Sequence, residues 1–201
     1  MAYASWVSPN KTSGSGDDTV AWTGSAHTGR SARQTTATFS ASGVESKTLT
    51  IIQAGKTEFV DIADTATVAK AGGSVTITGT SNSSKLTFTL TGTNGIGLTL
   101  PTTYLANSVT TNNGAAITGD PGAAQEYTFS ITFTGIGSNT SVSSLTSQLT
   151  VTTNNSTTDT CTITQAAGDA YLTISPTTIN LTAAGTAESV SVSSNTSWTI
   201  S

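Results

Sequence analysis

The run Glu126-Tyr-Thr-Phe-Ser-Ile-Thr-Phe-Thr134 places an apolar side chain at every second position. Successive side chains of an extended chain point to opposite faces, so Phe129, Ile131 and Phe133 share one face and Thr and Ser the other. Leu86, Phe88 and Leu90 repeat the pattern. Working outward, alternation predicts strands over Thr19–Gly24, Thr35–Phe39, Lys47–Gln53, Glu58–Ile62, Ser74–Gly79, Lys85–Leu90, Glu126–Thr134, Gln148–Thr153, Thr160–Gln165, Tyr171–Ile174, Ser189–Ser193 and Ser197–Ile200. No segment carries a 3.6-residue period, and Gly72-Gly73, Asn94-Gly95 and Asn113-Gly114 are turn signals between the runs. Thr is the commonest residue, at 45 of 201 positions. Its branched Cβ suits a strand while its hydroxyl keeps the outer face soluble, which accounts for the abundance without a binding role.

Composition narrows the function. Only 9% of residues are charged and 35% are apolar, a mixture that excludes a highly charged disordered chain and favours thin β-sandwiches. A net charge of −4, with no cluster of Lys and Arg, disfavours nucleic acid as a partner. No window approaches the roughly 20 apolar residues of a membrane span, so no membrane partner is expected. One His (His27), one Cys (Cys161) and one Met (Met1) cannot assemble a transition-metal site, and no cofactor is expected. Cys161 lies in an alternating run, where a small buried thiol is the ordinary reading.

An internal repeat divides the chain. Ile51-Ile-Gln-Ala-Gly55 returns as Ile163-Thr-Gln-Ala-Ala-Gly168, and each copy leads into an aromatic strand, Phe59-Val-Asp-Ile62 and Tyr171-Leu-Thr-Ile174, 112 residues apart. The match runs on through Gly73 and Gly185, slips by three residues, and reaches Asn82 and Asn195. A unit of this length is about one sandwich domain. The fold class expected is all-β, as tandem immunoglobulin-like β-sandwich domains: residues 1–56, 57–168 and 169–201, joined at Lys56-Thr57 and Gly168-Asp169. The middle domain reads as complete and the two end pieces as parts. Joints this short predict a fairly stiff rod.

These residues resemble the BACON family of immunoglobulin-like modules, found in Bacteroidetes proteins and in phages that infect them. The opening half of the family pattern matches Tyr171 to Trp198 through Val190, Val192, Asn195 and Trp198. The closing half matches Trp6, Ser8-Pro9, Ser13-Gly-Ser-Gly16, Val20, Arg33 and Ile52-Gln-Ala-Gly55. The middle of the second domain lacks the Trp and Ser-Gly-x-Gly elements of that pattern. The N-terminus is also similar to short structural proteins of Bacteroidales phages, crAss-like phages among them, at Trp6 to Pro9, Thr12 to Gly16, Thr28-Gly-Arg30 and Gln53 to Lys56. That resemblance implies a virion component decorating the capsid, with the major capsid protein and neighbouring copies of itself as partners. A tail or head fibre, and a carbohydrate-binding or adhesion module that takes cell-surface glycans, are the alternatives.

Residues 1–56 thus hold the second half of a module and residues 169–201 the first half. Either the natural chain runs on past Ser201, the plainer reading of a sequence that stops in mid-strand, or the halves complete one another by strand exchange. Trp6, Val190, Val192, Trp198 and Ile200 are the candidate exchange surface. Residues 1–85 carry all 7 basic groups and 6 acidic ones, whereas residues 86–201 carry 5 acidic groups and no basic one. Lys11, Arg30, Arg33 and Lys47 therefore mark the candidate capsid-contact side.

Other constellations read as structure. Trp22 shares a face with Val20 and is expected in a core, as are Trp6 and Trp198. Asp17-Asp18 and Asp61-x-x-Asp64 lack the ligand density of a calcium loop. His27 has no nearby acid in sequence, so an enzyme is not expected. Asn-x-Ser/Thr triplets, those at Asn139, Asn155, Asn180 and Asn195 among them, arise readily in so Ser/Thr-rich a chain. The opening Met-Ala-Tyr-Ala-Ser-Trp6 shows no basic and apolar leader, which points to a protein made in the bacterial cytoplasm and released by lysis in a virion, not one secreted by a signal peptide.

Overall fold

The computed structural model describes residues 3–92 and 95–201. Among the described residues there are strands and turns and no helix, so the chain is all-β. Two short antiparallel pairs come first: β1 (Val7–Pro9) with β2 (Trp22–Gly24), and β3 (Arg33–Phe39) with β4 (Lys47–Gln53). The pairs are separate two-stranded sheets.

A sandwich follows. Its strands are β5 (Val60–Ile62), β6 (Thr65–Val68), β7 (Gly73–Ser81), β8 (Leu86–Thr91), β9 (Thr103–Ala106), β10 (Val109–Asn112), β11 (Tyr127–Ile136), β12 (Leu145–Thr153) and β13 (Thr158–Gln165). One sheet has the order β10-β9-β11-β7-β5 and the other β6-β13-β12-β8. All neighbours are antiparallel except β6 and β13, which run parallel. Tyr127, Phe129, Ile131 and Phe133 of one sheet and Leu86, Phe88, Leu149, Val151, Cys161 and Ile163 of the other form a single buried core. The alternating Thr of β11 face outward, as the two-residue period requires, whereas Ser147 and Thr153 of β12 are buried. Gly79 breaks the pattern of β7 because a Cβ there would collide with the Asp61 carbonyl and the Phe129 ring.

A last antiparallel pair, β14 (Leu172–Ser175) with β15 (Ser191–Ser194), forms its own two-stranded sheet. Ser197–Ile200, predicted as a strand, forms none. The repeat supplies the reason. The equivalent strand β8 exists by pairing with β12, and among the described residues no strand stands in that place beside Ser197–Ile200.

Four observed strands escaped the alternation reading: β1, β6, β9 and β10. Each is three or four residues long, and at that length a period registers in some strands, β5 and β14 among them, and not in others. The β9–β10 hairpin turns at Asn107 and Ser108, both at positive φ, the backbone of a type I′ turn without glycine. The predicted turn at Gly72-Gly73 has both residues at positive φ, and Gly114 likewise. Of the Asn94-Gly95 signal, Asn94 lies outside the described residues.

Candidate functional site

Three of the five ion pairs among the described residues lie where successive units meet. Arg30, in the loop between β2 and β3, reaches the pole of the sandwich. Its Nη1 and Nη2 donate to the two carboxylate oxygens of Asp120 at 2.7 and 2.8 Å, and Nη2 also donates to the Asn82 carbonyl at 2.6 Å. Its Nε lies 2.9 Å from Glu58 Oε1, an ion pair without the alignment of a hydrogen bond. Two charged oxygens held by one planar fork make a geometry that Lys cannot reproduce.

Glu58 is buried, and a buried carboxylate survives only if its lone pairs are used. Here they are: Ser83 Oγ donates at 2.9 Å, the Ser84 N–H at 3.2 Å and the Asn155 N–H at 3.1 Å. The Arg30 guanidinium is held above its ordinary pKa, chiefly by its hydrogen bonds to Asp120, with burial opposing. Burial works against the charge of Asp120, but the bonds from Arg30 and from the Gly122 N–H outweigh it and keep the carboxyl below the usual carboxylate range.

The repeated residues have repeated jobs at these joints. Asn82 donates from Nδ2 to the Thr57 and Ala123 carbonyls and accepts the Phe59 N–H at 2.8 Å. Asn195 donates to the Asp169 and Thr140 carbonyls and accepts the Tyr171 N–H at 3.0 Å. Gln53 Nε2 donates to the Ser25 carbonyl at 2.9 Å, and Gln165 Nε2 to the Gly137 carbonyl at 2.7 Å, a donor and acceptor both displaced by 112 residues. Gly55 and Gly168 sit where a Cβ would strike a loop backbone, at Arg30 and at Asn139 respectively. The Gln-Ala-Gly motif is therefore a latch between the last strand of a unit and its own loop. At the second joint the Gly168 N–H donates to the Ser141 carbonyl, and Lys70 pairs with Asp169 on the surface.

Of the candidate capsid-contact residues, Arg30 is engaged at the first joint as described. Arg33 donates to Gln53 Oε1 at 2.9 Å and to the Ser25 carbonyl at 2.8 Å, and its guanidinium lies 4.5 Å over the Trp6 ring. Lys11 pairs with Asp18 at 2.6 Å, which lowers the Asp18 pKa, and Lys47 pairs with Glu45 at 3.1 Å with both groups largely in solvent. Of the candidate exchange residues, Val190, Trp198 and Ile200 are exposed, Val192 is half-buried, and Trp6 lies under Arg33. Trp22 meets Tyr3 edge-on at 5.2 Å, beside a cleft of about 370 Å³ lined by Tyr3, Pro9, Val20, Trp22, Ala37 and Phe39. His27 folds back so that Nε2 lies 2.7 Å from the Ser31 carbonyl.

Sequence reasoning missed Glu58 and Asp120. Glu58 stood in a predicted strand with nothing to mark it as buried. Asp120, in Gly119-Asp-Pro-Gly122, read only as part of a connection. The repeat held one usable signal for the rest: Asn82, Asn195, Gln53 and Gln165 were matched by position, and their side chains do matched work. No protein-family model matches the chain, and no curated protein is similar to it in sequence.

Proposed function

We propose that this is a non-enzymatic structural protein of a bacteriophage virion, an auxiliary protein bound to the outside of the capsid, built from immunoglobulin-like modules of the BACON type. The observation that carries this reading is the repeated joint. Arg30 reaches from the first unit to Asp120 and the Asn82 carbonyl of the middle one, and Asn195 reaches back from the last unit to the Thr140 carbonyl, ties suited to reach and assembly rather than turnover. The resemblance of Trp6 to Pro9, Thr28 to Arg30 and Gln53 to Lys56 to phage structural proteins supports the virion. The concentration of basic groups in residues 1–56 supports that end as the one facing the shell. Lys11 and Lys47, on the surface of that unit, are the contacts proposed for the major capsid protein.

The test is quantitative mass spectrometry of purified particles, with a protease that does not require Lys or Arg, since neither occurs after Lys85. A copy number comparable with that of the major capsid protein is expected. A handful of copies per particle would instead assign the chain to a tail or head fibre. Its absence from particles would overturn the virion reading and favour a glycan-binding module.

A further inference from the structure

The hairpins at the two ends of the chain repeat two strand pairs of the middle sandwich, one from each of its sheets. In that sandwich β5 and β7 pair with Val60 opposite Ser81, Asp61 opposite Thr80 and Ile62 opposite Gly79. β14 and β15 pair with Leu172 opposite Ser194, Thr173 opposite Ser193 and Ile174 opposite Val192, the same register 112 residues on along one strand and 113 along the other. β12 and β13 pair from Leu145 opposite Gln165 to Val151 opposite Asp159. β3 and β4 pair from Arg33 opposite Gln53 to Phe39 opposite Lys47, again 112 residues away. In the middle unit the two hairpins belong to facing sheets around one core. Among the described residues, the hairpins of the end units are separate two-stranded sheets with no facing sheet.

What this leaves uncovered is specific. Ile62 is 2% exposed and its equivalent Ile174 is 50%; Leu86 is 0% and Trp198 47%; Val151 is 0% and Phe39 46%. These are core positions of the fold with no core on them, far more than scattered surface apolars account for. On the first unit they border the cleft beside Trp22 and Ala37.

We infer that the 169–201 hairpin of one copy docks into this cleft on a second copy and completes its sandwich, head to tail. The middle unit dictates the register. Phe133-Thr-Gly135 recurs as Trp22-Thr-Gly24, so the pairs Ile131 with Ile77 and Thr132 with Thr76 become Val20 with Val190 and Ala21 with Ser189. The pair Val151 with Phe88 becomes Phe39 with Ile200, and Ser197–Ile200 gains the neighbouring strand that makes β8 a strand. Backbone hydrogen bonds along the new edges hold the hairpin while alternate side chains fill the cleft.

The occupant is a second copy because the two ends of one chain sit at opposite poles of the middle unit. Arg30 binds at Asn82, just past the Ser81 end of β7, and Asn195 binds at Thr140, past the Ile136 end of β11, which faces Gly73. Nine residues of strand, about 30 Å, lie between. Charge agrees: residues 1–56 carry 5 basic and 3 acidic groups, and residues 169–201 carry 2 acidic groups and no basic one. Such a contact joins unlike surfaces and so propagates into rings or open chains. It does not depend on where in a virion the protein sits, and its test uses purified chains, so either reading can fail alone.

The test uses two single variants of the 201-residue chain, A21C and S189C. In the middle unit the equivalent Thr132 and Thr76 hydroxyls lie 2.9 Å apart on the outer face, so cysteines there meet without entering the core. The native Cys161 is buried and does not compete. Mild oxidation of the mixture is expected to give a disulfide-linked dimer that neither variant gives alone, and the A21C/S189C double variant a ladder of linked chains. Sedimentation of the unaltered chain is expected to show mass rising with concentration, and V190D to weaken that rise at least tenfold. An unaltered chain that stays monomeric across its soluble range overturns the inference, as does linkage of each variant to itself as readily as to the other.

Discussion

Asn82 and Asn195, 113 residues apart, make the same three kinds of contact: each side chain accepts one N–H from the residue just before the strand that opens its unit and donates to two carbonyls, one of them at the joint. They differ in setting, because Asn82 is buried, whereas Asn195 is only half-buried and its hydrogen bonds lie at the surface. When Asn82 is replaced by Ala, the Phe59 N–H and two carbonyls lose their partner where water does not reach. Asn82→Ala is therefore expected to cost about 2–3 kcal/mol in urea unfolding. Asn195→Ala leaves its partners open to water and is expected to cost under about 1 kcal/mol. Equal losses at the two positions would contradict the burial argument.

The first joint should be sensitive to acid. The pKa of Asp120 in the folded chain lies below its ordinary value of 3.8 despite the burial that opposes its charge, since Arg30 and the Gly122 N–H bind the ionised form. A carboxyl with a depressed folded pKa contributes stability that is complete above its unfolded pKa and fades as pH falls through the folded one. Hydrogen exchange in the 28–31 loop is therefore expected to be constant from neutral pH to about 4 after correction for intrinsic rates, and to accelerate below that. Asp120→Asn should abolish this step and raise exchange at neutral pH. Arg30→Ala, which strands the buried Glu58, is expected to cost about 3 kcal/mol at the joint.

The middle sandwich was legible because its long strands bury alternate residues, as Phe129, Ile131 and Phe133 do, and a two-residue period cannot be mistaken over nine or ten residues. Four of the short strands were not legible. Thr65–Val68 is a strand only because β13 lies parallel beside it, and nothing local says so. Ser197–Ile200 has the local pattern of a strand and forms none, for want of a neighbour. The joints were half legible: the repeat pointed to Asn82 and Gln165, whereas Glu58 and Asp120 acquire their role from Arg30, 28 and 90 residues away. A charge is visible in a sequence, but its partner is a property of the fold.

Cys161 reports on the core of the sandwich. It is fully buried among the apolar residues of both sheets, and burial, together with Asp64 and Asp159, pushes its thiol pKa up. A thiol without access or thiolate character is inert. An aromatic disulfide reagent at pH 8 is expected to label the native chain at the rate of global unfolding, and to label one thiol per chain at once in denaturant. Fast labelling of the native chain would show that the sheets separate locally. Cys161→Ser, which adds a hydroxyl with no partner, is expected to cost about 2 kcal/mol.

Gly55 and Gly168 carry the latch that follows the repeated Gln, and neither is a glycine for reasons of φ. Each lacks a side chain because a Cβ would enter a neighbouring backbone, at the Arg30 carbonyl in the first case and the Asn139 carbonyl in the second. Backbone gives way less readily than a side chain tip, so Gly55→Ala must push the 28–31 loop off the end of β4 and weaken the Lys56 N–H bond to the Gly29 carbonyl, now 2.8 Å. The loss expected is about 1–3 kcal/mol for either substitution. Gly137 is the control: a Cβ there meets nothing within 4 Å, so Gly137→Ala is expected to shift stability by no more than about 0.5 kcal/mol. Thermal unfolding of the three variants decides the matter. If Gly55→Ala and Gly137→Ala melt together, the latch is not held by close backbone contact; if only the Gly55 and Gly168 variants fall, the repeated motif is conserved within the chain by the packing of each unit's last strand against its own loop.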